Sequence, residues 1–234
     1  MPSIIDHLLE RAVSIPAGRA TLRADLGVPP DARGIVLFAH GSGSSRKSPR
    51  NRSVAVALQQ AHYATLMLDL LTRDEERVDA ETQHLRFDIP LLAARLVSAT
   101  VWVRQDPRIR SLPIAYFGAS TGAAAALVAA AQLRDVVHAV VSRGGRPDLA
   151  GHALGEVSAP TLLIVGGYDV PVLDVNRDAL VRMRGVRALR IVPRAGHLFE
   201  EPGAMRQVTE LARAWFDKHL AHHAATIGGP GGGW

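Results

Sequence analysis

The chain has 234 residues, 47% of them hydrophobic, enough to bury a substantial core and to exclude disorder over most of its length. A net charge of +5, carried by scattered residues that are nearly all arginine, describes a solvated surface rather than a nucleic-acid face. Cysteine is absent, which removes disulfides, thiolate metal sites and a cysteine nucleophile together.

Residues Met1–Ala12 read as a short amphipathic helix and lack the basic-then-apolar layout of a secretory signal. The longest apolar run, Ala123–Ala131, falls far short of the ~20 residues of a membrane span, so no membrane partner and a cytoplasmic location are expected. Ala20–Val28 alternates like a half-exposed strand. Gly34–Ala39 is continuously apolar and ends in a Gly/Ser loop, as a central parallel strand buried on both faces does. The same look recurs at Ala64–Leu71, Ile114–Gly118, Val136–Val141, Thr161–Val165 and, more weakly, Val186–Val192.

Helical stretches lie between these runs: Asn51–His62, a long Ala80–Arg104 kinked or split near Pro90, Thr121–Leu133, Val172–Arg184 and Gly203–His219. Alternating strands and helices predict an α/β fold with a mainly parallel sheet covered on both faces. No repeat and no linker divides the chain. A single domain is expected over 1–224, with a flexible Gly-rich tail over 225–234.

The strongest local signal is Gly118-Ala-Ser120-Thr-Gly122, a G-x-S-x-G pattern that ends an apolar strand and opens an alanine-rich helix. A serine on so sharp a turn needs small flanking residues, and it projects its Oγ over the sheet beside a helix N-terminus. Serine alone is a poor nucleophile and requires a base with an orienting acid, expected downstream in the order acid, then histidine. Thr161–Asp169 is a buried strand running into a loop that carries a carboxylate, and Pro193–His197 follows the next strand. Ser120, Asp169 and His197 therefore fall at the C-terminal ends of three strands, where open parallel sheets place their sites. Asp174 and Asp178 compete for the acid role but belong to the following helix. Asp69, at another strand end, is a more distant competitor.

The small-residue loop His40–Ser45 can turn a backbone N–H toward an oxyanion. Ser42 is the first candidate donor, Gly41 and Gly43 are open alternatives, and Thr121 N–H is the second donor. Arg46 and Arg50 in the continuing loop, with Arg143 after a later strand, border the expected pocket and could clamp a substrate anion. Gly41–Ser48 nearly spells a phosphate-binding P-loop, but Arg46 stands where the second glycine is needed. That nucleotide-binding reading also leaves the other three residues unexplained. His219, His222 and His223 read as solvated residues at a helix end, and no metal or other cofactor is called for.

His40-Gly41, the elbow at Ser120, the Gly-Gly-Tyr-Asp169 turn and Ala195-Gly196-His197 together resemble the dienelactone-hydrolase-like branch of the α/β hydrolases. The resemblance covers roughly residues 15–220. It implies the α/β-hydrolase fold without a cap domain and esterase-type chemistry; with no insertion long enough for a cap, an open, shallow pocket is expected to take a small ester, thioester or lactone. Dienelactone hydrolase itself uses a cysteine nucleophile where this chain has Ser120, so the resemblance speaks to fold and triad more than to the dienelactone substrate. A scaffold of this fold that only binds a ligand is the alternative, and a homodimer is compatible with either.

Overall fold

The computed structural model describes residues 8–224. Eight strands form one sheet: β1 Leu9–Ala17, β2 Ala20–Val28, β3 Ile35–Ala39, β4 Ala64–Leu68, β5 Ile114–Ala119, β6 Val137–Arg143, β7 Thr161–Gly166 and β8 Arg187–Val192. Their spatial order is β1-β2-β4-β3-β5-β6-β7-β8. The first two strands form an antiparallel hairpin, β2 runs antiparallel to β4, and all other pairings are parallel. This is the α/β-hydrolase architecture, and no cap domain is inserted among the described residues.

Among the described residues there are six α-helices: α1 Pro49–Gln60, α2 Arg73–Thr82, α3 Ile89–Gln105, α4 Thr121–Gln132, α5 Val170–Arg182 and α6 Ala204–Ala224. Two apolar layers result. One gathers Leu37, Leu66, Tyr116 and Val140 with Leu96 of α3 and the alanines of α4. The other gathers Val36, Phe38, Phe117 and Val141 with Val54 and Leu58 of α1 and Val208 and Phe216 of α6. Period-two alternation along the central strands sends successive side chains to opposite layers, so every residue of β3, β4 and β5 is buried.

One expectation changes, and the expected division of a long helix near Pro90 is seen. The amphipathic helix expected at the N-terminus is strand from Leu9 onward, while residues 1–7 lie outside the described residues. Arg11, Val13, Ile15 and Ala17 turn inward and their neighbours outward, and pairing from Leu9↔Val28 to Ala17↔Ala20 outweighs the local helical pattern. The long helix expected over Ala80–Arg104 is divided. Gln83, at φ 57°, ends α2, a 3-10 turn covers Leu85–Phe87, and Asp88 caps α3 by accepting from Leu91 N–H at 3.0 Å with Pro90 in the first turn. The segment 225–234 expected to be flexible lies outside the described residues.

Because β3 leads outward to β4 while β5 turns the other way, the chain reverses direction between β3 and β5. In open parallel sheets that reversal opens a crevice at the strand C-termini. Ala39 of β3 is in register with Gly118 of β5, so the loops after both strands emerge side by side into it.

Candidate active site

Ser120 sits between β5 and α4 at φ 51° and ψ −121°, a backbone region that costs a non-glycine residue about 1–3 kcal/mol. Its surroundings hold it there. Ser120 N–H donates to Arg143 C=O at 3.2 Å, and Ser120 C=O accepts from the N–H groups of Ala123 and Arg146. The glycine two residues on is required by close packing: a Cβ on Gly122 would stand 2.3 Å from Ala39 C=O and 2.4 Å from His40 C=O. The elbow is thus pressed against the end of β3, and Gly41 of the following loop lies against the Ser120 side chain.

Asp169 and His197 come from different loops that are stitched together. Gly167 N–H donates to Val192 C=O and Tyr168 N–H to Ala195 C=O, both at 2.9 Å, bridging the turn after β7 to the turn after β8. Asp169 is the N-cap residue of α5, yet its carboxylate makes no capping bond. It accepts instead from His197 Nδ1–H at 2.7 Å, with the carboxyl side chain 12% exposed. That contact fixes the tautomer and leaves Nε2 to accept a proton. The His197 loop is anchored by Phe199, which is fully buried, and by Gly196 N–H donating to Glu201 Oε1 at 2.9 Å. The His197 ring lies beside Gly144, the residue after the Arg143 carbonyl that holds Ser120. Among the described residues no hydrogen bond joins Ser120 to His197, whose ring is held by Asp169.

His40, Gly41, Ser42 and Thr121 line a cavity of about 480 Å³ with Leu71 and Leu92, next to Ser120 but without Ser120, Asp169 or His197 in its lining. Thr121 is the first residue of α4, so its N–H has no acceptor within the helix. Ser42 is exposed at the loop tip. α2 and the turn after it wall the cavity with Asp79 and Arg86, whose side chains pair at 2.6 Å.

His40 received no role from the sequence, and the structure supplies one. It is 8% exposed, its Nδ1 faces Gly41 C=O at 2.9 Å, and its Nε2 accepts from Leu70 N–H at 3.0 Å. Both partners require the neutral ring with the proton on Nδ1. Burial pushes its pKa below the usual histidine value, against smaller opposing effects of the Gly41 hydrogen bond and the Asp69 charge.

The three arginines expected to border the pocket part company. Arg46 is placed elsewhere: its backbone N–H and its guanidinium both engage the fully buried Asp69, and its Nε reaches Asp25 at 3.2 Å. A guanidinium held by two carboxylates is not free to clamp a substrate. Asp69 is likewise committed, to Arg46 and Arg23, and does not approach His197 as an acid partner. Asp174 and Asp178 lie within α5. Arg143 donates to Asn51 Oδ1 and lies by the Phe199 ring, Arg50 pairs with Glu200, and neither lines the cavity beside His40 and Thr121.

No family model matches the sequence. Two Mycobacterium tuberculosis proteins named "putative phosphoribosyl transferase" are each 56% identical over 213 residues, 91% of this chain and 47% of theirs. The chain therefore spans about half the length of these curated relatives. Among solved structures, Est1E from Butyrivibrio proteoclasticus shares the fold at a TM-score of 0.75, with 16% identity over 90% of this chain and 99% of that one. A dienelactone hydrolase from Anabaena variabilis superposes at a TM-score of 0.90 with 59% identity, covering 92% of this chain and 99% of that one. With such identity across nearly the whole of both, the chain belongs to the dienelactone-hydrolase-like α/β hydrolases.

Proposed function

We propose that this hydrolase cleaves small carboxylic esters, thioesters or lactones through an acyl-enzyme on Ser120, with His197 as base and Asp169 as its acid partner. The observation that carries the reading is the Asp169 carboxylate, which leaves its own helix uncapped and binds His197 Nδ1 instead. A strained Ser120 at the chain reversal, beside a cavity, supports it.

In the proposed cycle, His197 Nε2 takes the Ser120 proton as Oγ bonds to the substrate carbonyl carbon. Asp169 stabilises the imidazolium without taking the proton itself. The N–H groups of Ser42 and Thr121 hold the oxyanion, aided by the N-terminal end of α4. Collapse breaks the bond to the leaving oxygen or sulfur, which takes the proton from His197. Water then loses a proton to His197, attacks the acyl carbon and releases the acid, and Ser120 regains its proton. An amide or an acyl acceptor other than water would use the same residues. The transferase name of the mycobacterial relatives belongs to proteins about twice this length.

The test is labelling with a fluorophosphonate, read by intact mass, beside Ser120→Ala. One adduct on the wild type and none on the variant is expected. A folded wild type that takes no adduct at several pH values would turn the reading toward a ligand-binding scaffold.

A further inference from the structure

Arg143 is the last residue of β6, on the sheet face that carries Ala139 and Val141 into the layer with α1 and α6. It is 7% exposed, and no carboxylate lies within ion-pair distance of it among the described residues. Its Nη2 donates to Asn51 Oδ1 at 3.2 Å, its Nε is buried without a partner, and its guanidinium lies 5.8 Å from the Phe199 ring centre. The other shielded arginines differ. Arg46 has Asp69 and Asp25, Arg95 has Glu75, and Arg86 has Asp79.

Arg143 also has a like charge for company. Arg50 precedes Asn51 on α1, its Nε is likewise buried without a partner, and its ion pair is to Glu200, a side chain 68% exposed and so well screened by water. Burial first, and then the Arg50 charge, bring the Arg143 pKa down to about 10, which still leaves the guanidinium cationic at neutral pH. A buried cation without a counter-charge is costly, and buried charges are ordinarily paired. The position is functional ground. The Arg143 carbonyl holds Ser120 N–H, and Phe199 is two residues from His197.

We propose that Arg143 and Arg50 form a subsite for a phosphate dianion. Two guanidiniums, each with a buried, unused Nε–H, match a group with close to two negative charges and several acceptor oxygens better than a single carboxylate, since the exposed Glu200 offsets Arg50 only weakly. The phosphate comes either from the substrate or from free inorganic phosphate. Only the first source rests on the hydrolase reading above.

Inorganic phosphate is titrated into the protein by calorimetry at constant ionic strength, with acetate as the comparison. Saturable phosphate binding, weakened at least about tenfold in Arg143→Met and in Arg50→Met, is expected from the loss of charged hydrogen bonds. Arg143→Met should also melt higher than wild type in phosphate-free buffer, because an uncompensated charge is replaced by an apolar side chain of similar length. A merely structural arginine would give a lower melting temperature. Should that variant not fold, Arg50→Met, at a partly exposed position, carries the binding test. Absence of saturable binding, acetate binding as tight as phosphate, or binding that survives both substitutions overturns the proposal. The source follows from p-nitrophenyl esters with and without a phosphate on the acyl chain. A preference for the phosphorylated ester that falls at least tenfold in either variant assigns the phosphate to the substrate. Phosphate binding without such a preference assigns it to the free ion. Binding is read without turnover, so failure of ester hydrolysis leaves this result intact.

Discussion

The fully buried carboxylate of Asp69 holds Arg46 at two points, Oδ1 receiving the backbone N–H at 2.8 Å and Oδ2 the guanidinium. The loop between His40 and Ser48, which carries the proposed oxyanion donor, is thereby tied at its far end to β4. At its near end His40 ties it to Leu70. Asp69→Ala strands Arg46 and Arg23 without this partner. Breaking a buried pair from one side costs about 3–5 kcal/mol. The expected outcome is a melting temperature well below wild type together with slower fluorophosphonate labelling. A variant that melts and labels like wild type would show that the loop does not depend on this anchor.

Asp169→Asn tests the other carboxylate. It keeps the size of the side chain but lets it donate to His197, favouring the wrong tautomer, and kcat should fall by roughly 10⁴. Since the carboxylate caps no helix, the melting temperature should move little. Near-wild-type turnover in Asp169→Asn, measured beside Asp69→Asn, would remove Asp169 from the acid role.

Acid should loosen the proposed oxyanion loop through His40. Its folded-state pKa is depressed by burial, so the unfolded chain binds the proton more readily. The stability His40 contributes is complete above its unfolded value near 6.5 and is lost as pH falls from there toward the folded value. Protonation puts a hydrogen on Nε2, the atom that accepts from Leu70 N–H. The melting temperature of wild type should exceed that of His40→Gln at pH 8, and the gap should narrow by pH 5. An unchanged gap would mean that the ring is not held neutral.

The central strands, and the strand ends at which Ser120, Asp169 and His197 stand, were legible because they obey local rules. Ile35–Ala39, Ile114–Ala119 and Thr161–Gly166 are buried on both faces and read as unbroken apolar runs, and a serine flanked by glycines at a strand end has few other uses. The fate of Arg46 was not legible. Its two carboxylate partners lie 21 and 23 residues away in sequence, on β2 and just after β4, and only the antiparallel pairing of Asp25 with Met67 brings them to one place. The N-terminal strand escaped for a related reason. Leu9–Ala12 has a helical spacing of its own, and the decisive partner is the other half of a hairpin. Pro90 did signal a boundary, and of the kink or split it allowed the structure shows the split, with Asp88 capping the new helix.

The packing of the elbow makes a steric prediction. Gly122→Ala would place a methyl carbon 2.3 Å from Ala39 C=O, on backbone that belongs to a fully buried strand and cannot withdraw cheaply. Overpacking costs about 1–3 kcal/mol, and more where, as here, the obstacle is backbone. The variant should melt far below wild type or fail to accumulate as folded protein. Normal melting would mean that α4 and β3 can separate.

Ser120 allows the strain itself to be read. At most positions glycine lowers stability relative to alanine, because the unfolded chain gains freedom, by roughly 0.5–1 kcal/mol. At φ 51° and ψ −121° the order should reverse, since alanine keeps the steric cost of the elbow and glycine sheds it. Ser120→Gly is therefore expected to melt at least as high as Ser120→Ala, while both lose fluorophosphonate labelling. Ser120→Ala melting clearly above Ser120→Gly would show that the backbone at Ser120 carries little strain. The serine would then be presented by the sheet alone, without a stability cost held at the site.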